Sequence, residues 1–459
     1  MRPRHHAVRD QLPALLRRHP GSSSSELADL AGTSPATMVR ALKELAAQIV
    51  RVGKAGRTRY YLMRALRGQT KALPLYRIDS AGQAAQLGQL QPLAPEGCFL
   101  DVKSLGWPVP DEFAQGVWPG LPYPLQDMWP QGFLGRSFAR HVAAEFDVSD
   151  NPSNWREDEV LQVLAQRGSD CTGDLMVGDV ALRRWLQLKV VAPPVVAGDV
   201  LPAHYESMAE QATSVGLVGA SAAGEFPKFT ALRALEGCQS PHVMVKFSGC
   251  DNSGAVRRWS DLLVCEHLAL ESIAQLDGIR SAFSRVLQSG GRTFLEVERF
   301  DRHGLWGRSP LCSLATLAAS IIDKSSDNWV ELAQAMVAGG WLNADGVRQM
   351  RLISFFGLLI QNTDMHLGNM SFIPGAPMQL APVYDMLPMA YAPLGGGELP
   401  SRAFAPRLPM PNDRDIWLQA GVAALAFWRL AAQDGRISDD FQAICQNNAQ
   451  TLQRLLDLC

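Results

Sequence analysis

The sequence has no uninterrupted apolar run of the ~18–20 residues that a membrane-crossing helix requires. Its first residues, Met1-Arg2-Pro3-Arg4-His5-His6, lack the apolar stretch of a secretion signal. A cytoplasmic location, with nucleoid association if the chain binds DNA, is the expectation. The eight cysteines are scattered, at Cys98, Cys171, Cys238, Cys250, Cys265, Cys312, Cys445 and Cys459. No two of them form a C-x-x-C pair. That argues against a zinc cage or a disulfide framework and fits a reducing compartment. No fixed-period repeat is present. Charged residues make up only 19% against 47% apolar, so wholesale disorder is not expected. With 459 residues the chain is long enough for three domains, at about 150 residues each.

The net charge of −2 conceals an uneven distribution. Residues 1–68 hold thirteen Lys and Arg against four Asp and Glu, a balance of +9, so the remainder carries −11. A basic front on an acidic body suggests a polyanion-binding module joined to something else. Within it, Ala7 to Arg18 has apolar residues at helical spacing, and Ser24 or Ser25 caps a short second helix ending at Gly32. Ser34-Pro35 opens a third, with Val39, Leu42, Leu45 and Ala46 on its inner face. Ile49–Val52 and Arg59–Leu62 then flank a Gly-containing loop, the pattern of a hairpin. Three helices and a basic hairpin resemble a winged helix-turn-helix. On that reading Ser34, Thr37, Arg40 and Lys43 face the major groove, and Arg51, Lys54, Arg57 and Arg59 form a wing on the phosphates or a minor groove. A small helical protein-interaction domain with a solvated basic face is the alternative.

Residues 69–72 read as a short link. Tyr76–Ile78 and Cys98–Val102 read as strands around a Gly/Gln-rich turn. Trp107 to Gly135 is rich in Pro, Gly and aromatics, the composition of an ordered surface loop or docking surface. Ser137–Ala144 and Asp158–Arg167 read as helices, Gly168–Leu175 as a turn into a strand, and Trp155 and Trp185 as packing anchors.

From Val215 to Lys228 runs a loop of small residues, of the kind that lets backbone N–H groups approach phosphates. His242–Phe247 is a strand with Lys246 inside it. Twenty residues on, Glu266 interrupts the apolar helix around Leu262–Leu270. A glutamate on such a helix requires a partner, and a strand lysine supplies one. In kinases that pair orients the lysine onto the α- and β-phosphates. Phe294–Phe300 reads as a strand leading to a crossing at Asp301-Arg302.

The turn after the buried helix Leu352–Ile360 completes the set. Asp364, Asn369 five residues later, and Asp385 behind a strand-like interval suit phosphoryl transfer. One carboxylate receives the proton of the attacking hydroxyl, while the Asn amide and the second carboxylate hold magnesium over the nucleotide phosphates. Mg²⁺ takes one or two carboxylates and keeps several waters. Taken alone, D-x-H-x-x-N is equally a polar loop after a core helix.

The order small-residue loop, V-K strand, Glu helix, R-F-D-R, D-x-H-x-x-N and Y-D resembles the HipA family of serine/threonine-kinase toxins from toxin–antitoxin systems. The resemblance covers roughly residues 73–455. It is nearest the YjjJ (HipH)-type subgroup, which carries a helix-turn-helix in front. It implies an α+β fold: a two-lobed HipA/protein-kinase-like body with a mixed N-lobe and a helical C-lobe, preceded by the winged module. It also implies ATP and Mg²⁺ as cofactors, a protein substrate and an antitoxin as partners, and an Asp364 similar to the family's catalytic base. Asn369 and Asp385 resemble the metal ligands, and Lys246, with Glu266, the ATP-phosphate lysine and its partner. Ala220, Ser221, Ala222, Ala223, Gly224 and Lys228 match the phosphate loop, in which the serine, here Ser221, is autophosphorylated with inhibition. His366 is placed with this site as a group that orients the loop, a structural histidine being the alternative. The sequence departs from the family at Gly368, usually Lys or Arg, and at Glu225 or Phe226, where the loop usually has Gln.

The resulting division is 1–68 for the DNA module, 73–210 for the HipA-like N-terminal subdomain, 211–302 for the nucleotide-binding part of the N-lobe and 303–459 for the C-lobe. Ser313–Ile322, Trp329–Met336, Gly346–Ile360, Asp415–Ala432 and Phe441–Leu458 show helical spacing. Trp306 and Arg308 are placed in the cleft by position alone. A homodimer fits a helix-turn-helix reading paired half-sites. Two alternatives stand beside the kinase. One is a DNA-binding transcription regulator with a nucleotide-sensing pseudokinase body. The other is a toxin acting directly on nucleic acid.

Overall fold

The computed structural model describes residues 3–101, 105–214, 226–234, 237, 240–322 and 324–458. The chain starts with three helices, Pro3–Arg18, Ser24–Leu30 and Pro35–Glu44. Their inner residues Val8, Leu12, Leu16, Leu27, Met38 and Leu42 form a small core. The first helix is longer than its apolar spacing suggests and runs through Pro13. The second is capped by Ser23, not Ser24 or Ser25, because Glu26 reaches back to the Ser23 N–H while Ser23 Oγ accepts from Glu26 N. Pro35 takes the first position of the third helix behind the Ser34 cap.

The hairpin Ile49–Val52 and Arg59–Leu62 follows, with Val52 opposite Arg59. Its apolar face, Val50 and Val52, packs on Leu93 together with Phe99 and Val117. Ala94 N donates to Leu62 O at 2.8 Å, and Arg64 pairs with Asp158 at 2.7 Å. The basic front is thus bound to the body through one face of its hairpin.

A five-stranded antiparallel sheet comes next, in the order Val117–Trp118, Cys98–Phe99, Ala84–Pro92, Leu73–Ile78, Leu175–Val177. Ala84–Pro92 occupies the stretch read from sequence as a turn. It has few β-formers, and it is extended because it pairs on both sides, with Leu73–Ile78 and with Cys98–Phe99. The helices Gly132–Phe146 and Glu157–Arg167 outrun the sequence reading at their starts. Two more, Asp179–Val191 and Leu201–Ser214, have no counterpart in it. Trp155 and Trp185 are buried anchors.

The second sheet has four antiparallel strands, in the order Ser284–Ser289, Arg292–Glu298, His242–Phe247, Lys228–Leu232. Its two faces obey strand alternation. Val243, Val245, Phe247 and Phe294 pack under Leu201, Tyr205 and Ala209 of the helix Leu201–Ser214. The opposite face, with Leu295 and Val297, meets the helix Gly254–Ile273.

Beyond it the chain is mostly helical: Leu314–Ser320, Trp329–Ala338, Ala344–Leu359, Arg414–Ala431 and Asp439–Leu458. At the crossing, Arg299 and Arg302 pair with Asp301 and Asp170, and Asp301 accepts from Gly173 N at 3.0 Å. Trp306 meets Trp185 edge-on at 6.1 Å, and Arg308, 4% exposed, donates to Ser169 O. Both clamp the first sheet's domain onto the crossing.

Candidate active site

In the strand His242–Phe247 alternation turns Val245 and Phe247 to one helix and Lys246 to the other. There the Lys246 ammonium donates to both carboxylate oxygens of Glu266 at 2.7 Å and also to Asp385 Oδ1. Lys246 is 4% and Glu266 0% exposed. Two charges this deep persist only when each has the other. Burial alone pulls the Lys246 pKa down, but the Asp385 and Glu266 carboxylates outweigh it, and the ammonium holds its proton more firmly than a free lysine. At Asp385 burial pushes upward, and Lys246 with Lys228 more than offsets it, so the net shift is downward. Lys228 lies directly opposite Lys246 in the antiparallel register, which sets both side chains on one face.

Asp364 and Asn369 come from the turn after the helix Ala344–Leu359. The chain leaves that helix through Gln361 at φ 61°. Asn362, 4% exposed, then forms an Asx turn, its Oδ1 accepting from Asp364 N at 3.0 Å. The same side chain donates through Nδ2 to Asp385 O at 3.4 Å. One buried asparagine therefore ties the Asp364 turn to the Asp385 segment. Asn369 Nδ2 donates to Asp364 O at 2.8 Å, which directs its Oδ1 away from that bond. His366 Nδ1 accepts from Gly368 N at 3.1 Å and caps the short turn Leu367–Asn369. Tyr384 OH donates to Gly368 O at 2.7 Å and lies 2.7 Å from Ser371 Oγ. Asp385 has φ 53°, a left-handed conformation that Asp adopts more readily than most residues. Asp364 is solvent-exposed.

The structure thus brings Lys228, Lys246, Glu266, Asp385, Asn369 and Asp364 to one region from two strands, one helix and two turns. Ala220, Ser221, Ala222, Ala223 and Gly224 lie outside the described residues. Asn362 is the member that motif reading passes over, and Tyr384 has no role assigned in the Y-D motif. An Asn two residues before an Asp is an Asx-turn signal, but a tyrosine hydroxyl supporting a loop carbonyl leaves no trace in spacing.

Among the described residues no group of three or more His, Cys, Asp and Glu side chains is arranged to hold a metal. Beside the Glu266 carboxylate, engaged by Lys246, and the exposed Asp364 carboxylate, the oxygen donors at the site are the Asp385 carboxylate and Asn369 Oδ1. A hard donor set this small fits Mg²⁺ completed by water and phosphate oxygens, and does not fit zinc.

In the basic module Arg40, Lys43, Arg51, Lys54 and Arg57 are exposed. Ser34 Oγ is engaged as a cap with Thr37 N at 3.2 Å and lies 2.9 Å from Thr37 Oγ1. Arg59 is held by Glu26 at 2.9 Å.

A YjjJ-like toxin middle domain matches residues 69–186, and a HipA-like C-terminal domain matches residues 220–454. The chain belongs to the HipA family, as a toxin of the YjjJ type. It is 36% identical to Toxin YjjJ of Escherichia coli (strain K12), over 97% of this chain and 98% of that protein. Among solved structures, HipA from the Shewanella oneidensis MR-1 complex of HipA, HipB and operator DNA matches with TM-score 0.49 and 15% identity, over 84% of this chain and 96% of that one. The Helicobacter pylori proinflammatory kinase CtkA matches with TM-score 0.35 and 13% identity, over 51% of this chain and 89% of that one.

Proposed function

We propose that this toxin is an ATP- and Mg²⁺-dependent serine/threonine protein kinase with a two-lobed body, carrying its own DNA-binding module. The observation that carries the reading is the Lys246–Glu266 pair, buried and in contact with Asp385. A buried lysine is costly unless it has a task or a partner, and here it has a glutamate on one side and the metal-site aspartate on the other.

In this reading Lys246 and Lys228 bind the nucleotide phosphates, and Glu266 fixes the direction of Lys246. Asn369 Oδ1 and Asp385 hold the magnesium. Magnesium supplies positive charge against the oxygens of the transferred phosphoryl group. Asp364 orients the substrate hydroxyl and takes its proton as the hydroxyl oxygen bonds to the γ-phosphorus and the bond to ADP breaks. Asn362 keeps the Asp364 and Asp385 backbones in fixed relation, so that the base and the metal ligand stay in register. Ser221 is the inhibitory autophosphorylation site: a phosphate of nearly two negative charges in a loop that cradles phosphates repels the nucleotide.

The basic module serves as a winged helix-turn-helix. Its exposed Arg40 and Lys43 on the third helix, and Arg51, Lys54 and Arg57 on the hairpin, suit a DNA groove and its flanking phosphates. A homodimer on paired half-sites, a protein substrate and a separate antitoxin complete the proposal. Incubation with Mg²⁺ and ATP, followed by intact-mass measurement of wild type and Asp364→Asn, tests the catalytic half. Transfer that persists in the variant sinks the assignment of Asp364.

A further inference from the structure

Phe226 opens the described chain after the loop of small residues. Pro227 follows it and biases it toward an extended backbone. Pro227 O accepts from Phe247 N at 3.1 Å, so strand pairing reaches this far. Lys228 is opposite Lys246 in that register. Two residues earlier on an extended chain, Phe226 shares their face. Its ring is 6% exposed and meets Trp259 edge-on, with centroids 4.7 Å apart. Lys246 Nζ lies 6.0 Å from the Phe226 ring centroid. Trp259, 8% exposed, is seven residues before Glu266 on the helix Gly254–Ile273. Seven residues are about two helical turns, so Trp259 and Glu266 share one face of that helix.

We infer that Phe226, seated on Trp259, is a positioning residue for nucleotide binding: it walls off the Lys246–Glu266 pair from water and fixes the ammonium toward the phosphates. The inference rests on the kinase reading above. Its physical basis is dielectric. Charge pairing weakens severalfold as water replaces protein around it. A lysine freed from its glutamate samples many rotamers, and the loss falls on phosphate binding more than on the chemical step. Glutamine at this position would bring an amide and its water to the pair. Leucine would keep the site apolar while losing the ring.

The test compares Phe226→Leu, Phe226→Gln and Phe226→Ala in the full chain. Readouts are KM for ATP, kcat for autophosphorylation, ATP affinity by calorimetry with Mg²⁺, and the melting temperature. The expected result is a KM and Kd for ATP raised roughly tenfold in Phe226→Ala and Phe226→Gln, with kcat within about threefold of wild type and Phe226→Leu close to wild type. A purely structural ring would lower the melting temperature and leave KM and Kd unchanged well below it. That result overturns the inference, as does a Phe226→Gln protein that binds ATP like wild type. A wild-type chain that binds ATP and transfers nothing removes the kinase reading alone, and the Kd series still decides the role of Phe226. A wild type that binds no ATP overturns both.

Discussion

Lys246 Nζ sits 2.7 Å from both carboxylate oxygens of Glu266, twenty residues apart in the chain, with neither side chain more than 5% exposed. One partner comes from a strand and the other from the helix on that strand's far face. Sheet and helix are therefore cross-linked by charge in the same place where the nucleotide would be held. Removing the cation should be worse than neutralising the anion. Lys246→Met leaves Glu266 buried without the cation that contacts it, and a broken buried pair costs on the order of 3–5 kcal/mol. Glu266→Gln keeps the shape and leaves Lys246 in contact with Asp385, so it should cost less. Urea unfolding of the two variants checks the order. Equal losses would mean that the pair contributes little beyond its packing.

On the kinase reading, variants of the Asp364 turn should separate binding from chemistry. Asp364→Asn should lower kcat by about 10²–10⁴-fold, the usual weight of a general base, with ATP affinity near wild type. Asn369→Ala and Asp385→Asn should instead raise the Mg²⁺ concentration at half-maximal rate. Asn362→Ala touches no substrate in this account. It removes the bond to Asp364 N and the bond to Asp385 O together, and should impair both kcat and the Mg²⁺ requirement. Initial rates across a magnesium titration distinguish these three behaviours.

Much of this was legible in the letters. The helices from Trp329 onward, the Ser34-Pro35 start and the Lys246–Glu266 partnership all follow from spacing, because a long periodic helix and a buried charge leave strong marks in a sequence. Two kinds of feature did not. Ala84–Pro92 is a strand by virtue of its neighbours, so its own residues argue for a turn. Trp306 and Arg308 lie next to the crossing in sequence, yet Trp185 and Ser169, more than a hundred residues earlier, decide where they point. Long-range contacts of that sort are invisible to local pattern.

The two buried histidines should make the fold weaken as pH falls. Burial lowers the pKa of His242, whose ring lies 2.9 Å from Leu305 O, and burial likewise lowers that of His267. Each ring binds its proton at lower pH in the folded chain than in the unfolded chain. Between the ordinary value of 6.5 and the folded value, the unfolded state therefore holds more protons. Stability from these groups is present above that ordinary value and is lost as pH falls below it. Urea midpoints should drop between about pH 7 and pH 5, and the drop should shrink in His242→Gln. A flat profile over that window would contradict the burial argument.

The basic module makes a graded prediction. Lys54→Ala and Arg57→Ala should each weaken DNA binding uniformly across sequences and reduce the salt slope by about one. Arg59→Ala should change the slope less, because Glu26 already holds that guanidinium. Arg40 and Lys43, exposed on the third helix, should instead alter sequence preference. Binding isotherms at three salt concentrations read all of these. A slope unchanged by Arg57→Ala would remove the hairpin from the interface.

The central claim is that the buried Lys246 site transfers phosphate. Intact mass and phosphopeptide mapping of the purified chain after incubation with Mg²⁺ and ATP tests it most directly, with Asp364→Asn run alongside. The account predicts one added phosphate at Ser221 in the wild type and none in the variant. ATP bound by both proteins with no phosphate on either would contradict it.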